Sequence, residues 1–221
     1  MSGWFTNVDW SDIAIASRDT LAMLGGSLLL TVVIGLPLGV LLYLTAERQI
    51  SQNRAINLVL GTIVNILRSV PFVILLIVMI PLTVALVGTS LGVVGAILPL
   101  VVGAAPFYAR LVESALKEVD RTTIEAAQAM GATTRQIVTG ALIPEALPGL
   151  VSGATVTAVA LVSFTAMAGV VGAGGLGDLA IRFGYQRFQT DVMIVTVVLL
   201  VLLVQVIQFA GDRLARHVTH R

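Results

Sequence analysis

Apolar residues in this chain fall in long uncharged runs separated by short polar stretches, and the run lengths make the first structural statement. The hydrocarbon core of a bilayer is about 30 Å thick, so a helix that crosses it needs about 20 mainly apolar residues. Backbone N–H and C=O groups in lipid find no water, so runs of that length must be helical. Residues 20–46 carry no charge and predict a span near 21–44. Between residues 56 and 109 the only charge is Arg68, and that stretch is too long for one crossing. Gly88, Thr89 and Ser90, with Pro81 ahead of them, mark a turn within it and predict spans near 57–80 and 91–109. Residues 146–177 predict a span near 150–171 before the chain becomes glycine-rich, and residues 192–210 predict the last.

The expected fold class is therefore all-α: a polytopic membrane protein with five transmembrane helices. Residues 1–19 read as an N-terminal interfacial segment, with Trp4, Phe5 and Trp10 suited to the headgroup layer, and residues 20–221 as the transmembrane domain. Asp9, Asp12 and Asp19, with no basic start before an apolar run, argue against a cleavable signal peptide. Under five spans, Arg48, Arg54, Arg110, Lys117, Arg121, Arg135, Arg213, Arg216 and Arg221 share one side, and only Arg18, Arg182 and Arg187 face the other. The positive-inside rule then puts the N-terminus outside and the C-terminus in the cytoplasm.

Composition narrows the function classes. The chain of 221 residues is 57% hydrophobic and 11% charged, too poor in charge to cover a soluble surface. A net charge of +1 gives no reason to expect a nucleic-acid partner, and zero cysteines exclude disulfides, thiolate catalysis and cysteine-held metals. His217 and His220 have a spacing that suits a metal, but they sit in a basic tail and read as solvated. No site for a metal or other cofactor is expected.

Residues 110–148 form the one sizeable polar stretch, 39 residues with five of the twelve acidic groups. Thr122 and Glu125 have the spacing of a capping box, and the residues up to Met130 are strong helix formers. Gly131 suits a left-handed helix end. A second helix is expected from Thr133 or Thr134 to Leu142, ended by Pro144 and Pro148. The product is two short helices at a glycine corner, exposing Ala126, Ala127 and Met130. On the residues alone this is either a loop covering the base of the bundle or a docking knob for a groove on a soluble partner.

The segment Glu125, Ala126, Ala127 through Gly131 resembles the EAA motif of bacterial ABC importer permeases. In that family an I-x-L-P element follows; here Ala141 to Pro144 keeps the proline and alters both aliphatic positions. The residues around Gly103–Arg110, Leu142–Gly149 and Gly172–Asp178, with Arg68 to Pro71 and Tyr185 to Arg187, are similar to methionine importer permeases. The resemblance implies a type I ABC importer permease, in the bacterial inner membrane, that forms a pathway for methionine. It implies four partners besides the bilayer: a second copy of the chain, two ATP-binding subunits and an extracytoplasmic methionine-binding protein. It also implies that Glu125, Ala126, Ala127, Met130, Gly131 and Pro144 form the coupling contact with an ATP-binding subunit. Other small amino acids or quaternary amines remain alternative solutes, and a membrane scaffold without a pore is the rival from another class.

Gly172, Gly174 and Gly177 match G-x-G-x-x-G, but a spanning helix rather than a strand precedes them, so a flexible outer turn is expected instead of a dinucleotide site. The sole lysine, Lys117, lies in no phosphate-binding loop, so the chain is expected to have no catalytic residues and to leave ATP hydrolysis to a separate subunit. All acidic residues fall outside the predicted spans, which argues against a proton-coupled carrier. Arg68 is the one charge inside a predicted span and either snorkels or faces a cavity with Asn65 and Ser69. Ser163, Thr165 and Met167 are the other candidate pathway residues. Gly35 and Gly39 around Pro37 read as helix packing, with a gating hinge as the lesser reading.

Overall fold

The computed structural model describes residues 7–219, so Trp4, Phe5, His220 and Arg221 lie outside the described residues. The chain runs through α1 (Trp10–Thr45), α2 (Arg54–Ser69), α3 (Phe72–Val78), α4 (Ile80–Val87), α5 (Gly92–Lys117), α6 (Arg121–Ala129), α7 (Thr134–Ile137), α8 (Ile143–Gly169), α9 (Gly175–Leu179) and α10 (Thr190–Val218). Two π turns, Val138–Leu142 and Ala180–Tyr185, lie between α7 and α8 and directly after α9. Asp9 caps α1, accepting from the N–H groups of Ser11 and Asp12, so the helix starts well ahead of the apolar run. Its 36 residues make a rod of about 54 Å, longer than the hydrocarbon core is thick.

Contacts between glycines and neighbouring helices give the direction of each crossing. Gly26 lies against Ile97, Gly35 against Ala105 and Tyr108, and Gly39 against Ala109 and Val112, so α1 and α5 run parallel. Residues 46–91 must therefore bring the chain back. Gly149 meets Ala115 and Gly153 meets Leu111, so α8 runs against α5; Gly211 sits on Thr155, so α10 runs against α8. Among the described residues, four single helices and one pair bent at a break are apolar enough to cross a membrane; with α1 and α5 parallel, the bent pair must supply the return, giving five crossings. The two ends of the described chain then lie at opposite ends of the bundle. Arg48, Arg54, Arg110, Lys117, Arg121, Arg135, Arg213 and Arg216 gather at one of those ends.

The return crossing differs from the straight span expected at 57–80. It is α2 and α3 bent by 102°, followed by α4. Pro71 is the cause: it has no N–H to continue α2, and it biases Val70 to the extended backbone observed there, φ −79° and ψ 125°.

Pro144 and Pro148 also depart from expectation. Neither ends a helix: α7, the π turn and α8 form one continuous helical rod, Thr134–Gly169. The π turn bonds the Ile143 N–H to the Val138 carbonyl. The helix widens just before Pro144, where the missing donor would otherwise leave a gap in the α ladder.

Small residues pack this bundle because lipid supplies no hydrophobic drive between helices. The Gly35 and Gly39 pair serves the α1–α5 crossing, as the packing reading required. One apolar cluster at the basic end joins Tyr43, Tyr108, Leu116, Ile124, Ile137 and Leu142, fixing α6 and α7 to the base of α1, α5 and α8.

The glycine-rich segment forms a turn, and its backbone docks closely on the bundle. Gly172, Gly174 and Gly175 all have positive φ, and the Leu176 N–H donates to the Thr20 hydroxyl at 2.9 Å in a buried bond. Gly177 lies directly on the Ala166 backbone, where no side chain fits. The motif is a tight re-entry that docks α9 against α1 and α8.

Candidate docking elbow and membrane cavity

The polar segment folds into a fixed elbow. Helix α6 is capped by Asp120, whose carboxylate accepts the Thr122 N–H at 2.9 Å. That bond holds the Asp120 carboxyl below the usual carboxylate range. The expected capping box at Thr122 and Glu125 does not form. Thr122 is already inside the helix, and Glu125 instead accepts from Arg121 at 3.1 Å, an exposed pair of little energetic weight. The capping box occurs one helix later, between Thr133 and Gln136 at the start of α7.

Gly131 makes the corner. Its φ is +80°, and its N–H donates to the Gln128 carbonyl at 2.9 Å while the Ala132 N–H donates to the Ala127 carbonyl at 3.1 Å. These two bonds are a Schellman ending, which satisfies carbonyls the helix would otherwise leave open. One face of α6 is anchored through buried Ile124 and half-buried Ala127. The opposite face presents Glu125, Ala126 and Met130, and Met130 is 81% exposed. Residues 126 and 130 share a helix face. A small residue beside a flexible, polarisable one is a surface that enters a groove on a partner with little steric cost. Pro144 is exposed in the first turn of α8, beyond the π turn.

Arg68 lies exposed in the last turn of α2, where the helix dipole favours a cation. It lines a cavity of about 310 Å³ between the α2–α3 bend, α5 and α8, with its guanidinium 5.9 Å from the Phe107 ring centre. The other candidate pathway residues do not join it there. Asn65 is turned to α5, its side-chain oxygen accepting from Arg110 at 3.0 Å. The Ser69 hydroxyl is bonded back to the Asn65 carbonyl at 2.8 Å. Thr165 is 1% exposed, and its hydroxyl donates to the Val162 carbonyl at 2.7 Å. Ser163 and Met167 are exposed on α8 but do not line the cavity.

Two features escaped the sequence reading. The first is the charge cluster on α5. Glu113 is 5% exposed and accepts from Arg110 at 2.6 Å and Lys117 at 2.7 Å, while Arg110 also donates to the Gly61 carbonyl at 3.2 Å. The acid was placed outside the span, yet α5 continues to Lys117 and buries it. Its i,i+3 and i,i+4 spacing to two cations was the available signal. The cluster ties α2 to α5 below the break. Removing one member of a buried ionic group leaves the others uncompensated, a cost of about 3–5 kcal/mol. Glu113→Ala is expected near the low end because Lys117 is half exposed, with a clear drop in the thermal unfolding midpoint of the purified protein and a smaller drop for Glu113→Gln. An unchanged midpoint would mean the cluster contributes nothing. The second missed feature is the stack of Phe72 on Phe164, ring centres 4.3 Å apart and planes 6° apart, which walls the cavity.

A five-crossing helical bundle with an anchored elbow at its basic end and a cavity between its helices is the architecture of a membrane transport subunit. Residues 21–221 match the family described as the binding-protein-dependent transport system inner membrane component, and the chain belongs to that family. It is 55% identical over 203 residues to the D-methionine transport system permease protein MetI of Escherichia coli K12, covering 92% of this chain and 94% of that protein. It is 49% identical over 218 residues to the methionine import system permease protein MetP of Bacillus subtilis 168, covering 99% and 98%. A crystal structure of inward-facing MetNI methionine ABC transporter matches over the full length of both chains, at 51% identity and a TM-score of 0.94. The structure of an amino acid ABC transporter matches at 0.79 and 16% identity, a likeness of fold alone.

Proposed function

We propose that this chain is the permease subunit of an ATP-driven methionine importer in a bacterial inner membrane, working as two copies with two ATP-binding subunits and an extracytoplasmic methionine-binding protein. The observation that carries the reading is the elbow: an α6 face of Glu125, Ala126 and Met130, aimed away from a bundle that anchors its other face. Family membership over residues 21–221 and two methionine-transport relatives at about half identity support it. ATP hydrolysis belongs to the separate subunit, and this chain supplies the pathway.

The elbow converts motion of the ATP-binding subunits into motion of the bundle. Ala127 and Ile124 bind α6 to the basic end of the bundle, Gly131 sets its angle to α7, and α7 is rigidly continuous with α8 through the π turn that accommodates Pro144. A push on Met130 and Ala126 is thus delivered along α8, which borders the cavity. Approach of the two elbows opens the pathway outward, and their separation opens it inward. The basic end is cytoplasmic in this scheme, with the N-terminus outside and the C-terminus inside.

Because the chain has no cysteine, a Met130→Cys protein carries a single reporter. A membrane-impermeant maleimide is expected to label it in inverted vesicles and to miss it in right-side-out cells. In proteoliposomes holding all three components, labelled methionine is expected to accumulate only with ATP. Labelling from the cell exterior would overturn the orientation, and absence of ATP-dependent uptake the function.

A further inference from the structure

We propose that the cavity at the α2–α3 bend is a transit site for a zwitterionic amino acid with a soft apolar side chain, with its carboxylate on Arg68 and its side chain on the Phe72–Phe164 stack. The inference deepens the methionine reading and rests on it.

The first argument is an uncompensated charge. Four ion pairs occur among the described residues, and Arg68 is in none of them. Its one specific contact is the Phe107 ring at 5.9 Å. Arg110, one α-helical turn away from Phe107 on α5, holds three partners. The contrast is one of partners: Arg110 is held by Glu113, Gly61 and Asn65, whereas Arg68 stands exposed at the cavity with only the Phe107 ring beside it. Its guanidinium is thus free to take an anion, and a carboxylate meets its planar fork with two parallel hydrogen bonds.

The second argument is the other half of a zwitterion. In α2 the Leu67 carbonyl would take its helical hydrogen bond from residue 71, which is proline and has no N–H. Leu67 lines the same cavity. The open carbonyl end of α2 therefore carries partial negative charge at the same cavity, where an α-ammonium would be favoured.

The third argument is the remaining wall. Phe72, Phe107 and Phe164 line the cavity with Leu75, and sulfur packs favourably near aromatic rings. Gly103 keeps this wall open: a Cβ there would sit 3.1 Å from the Phe72 ring. A volume of about 310 Å³ is at the lower limit for small-molecule pockets, as suits a site that must release its solute.

Ala160 lines the same cavity and gives a reporter position. In the assembled transporter, L-methionine at millimolar concentration is expected to slow maleimide labelling of an Ala160→Cys permease at least about threefold. Methioninol, which lacks the carboxylate, is expected to give no protection. Arg68→Gln should remove the protection, and Arg68→Lys should retain part of it, which separates a lost carboxylate contact from a misfolded cavity. Labelling that ignores methionine, or protection that survives Arg68→Gln, overturns the site. The same Ala160→Cys protein is assayed for ATP-driven methionine uptake before labelling. Uptake without protection removes the site alone, whereas no uptake by the unsubstituted protein removes the importer reading beneath it.

Discussion

Replacing Gly131 by valine is expected to abolish ATP-driven uptake, by about tenfold or more, in protein that still inserts and retains its helices. The reason is backbone conformation and not crowding. Gly131 has φ +80°, and a Cβ built on it meets no atom within 4 Å. An L-residue in that region costs about 1–2 kcal/mol, and a β-branched one is the least tolerant of it. A penalty of 1.4 kcal/mol is tenfold in an equilibrium, so the elbow would leave its bent form and the Gln128 and Ala127 carbonyls would lose their donors. The bundle itself does not depend on the corner, so insertion and thermal stability should change little. Asparagine tolerates the left-handed region, so Gly131→Asn should keep most of the activity. Uptake by Gly131→Val equal to that of the unsubstituted protein would show that the corner transmits nothing.

Gly39→Leu is expected to damage folding. A Cβ at this position lies 2.5 Å from the Ala109 carbonyl oxygen and 2.5 Å from Val112 Cβ, inside the closest part of the α1–α5 crossing. The oxygen belongs to a helix backbone and cannot rotate away, so α1 must move off α5 along its length. Overpacking of a core costs about 1–3 kcal/mol where side chains can yield, and here the obstacle is the main chain. The expected result is loss of monodisperse protein on size-exclusion after solubilisation. Gly25→Leu on the same helix is the control, because nothing lies within 4 Å of a Cβ there. If both variants behave alike, the crossing is not what holds these helices together.

The site was legible in the sequence where it depends on neighbours in the chain. Glu125 through Gly131 announced a helix with a left-handed end, and both are present, although the cap is Asp120 rather than Thr122. Asp, Ser and Thr compete for the same capping role over adjacent positions, and only the backbone path selects one. Proline was less legible. Pro71 broke a helix that hydropathy read as continuous, while Pro144 and Pro148 broke nothing. Hydropathy registers solubility in lipid and is blind to direction, so a bend between two apolar segments leaves no trace in it.

Run length, charge bias and the glycine corner were thus determined by the sequence itself, because each is set by local chain geometry and by the bilayer as solvent: five crossings, a basic end and a polar elbow. Only the tertiary structure decided which charges are satisfied. The spacing of Arg110 to Glu113 signals their pair, but the bonds of Arg110 to Asn65 and Gly61, and the absence of an acid beside Arg68, show only in three dimensions. That difference arises from the packing of α2 on α5, which places residues 45 and 49 positions apart within hydrogen-bond reach. Pairing of charges across helices depends on distance in space, and one-dimensional spacing does not encode it.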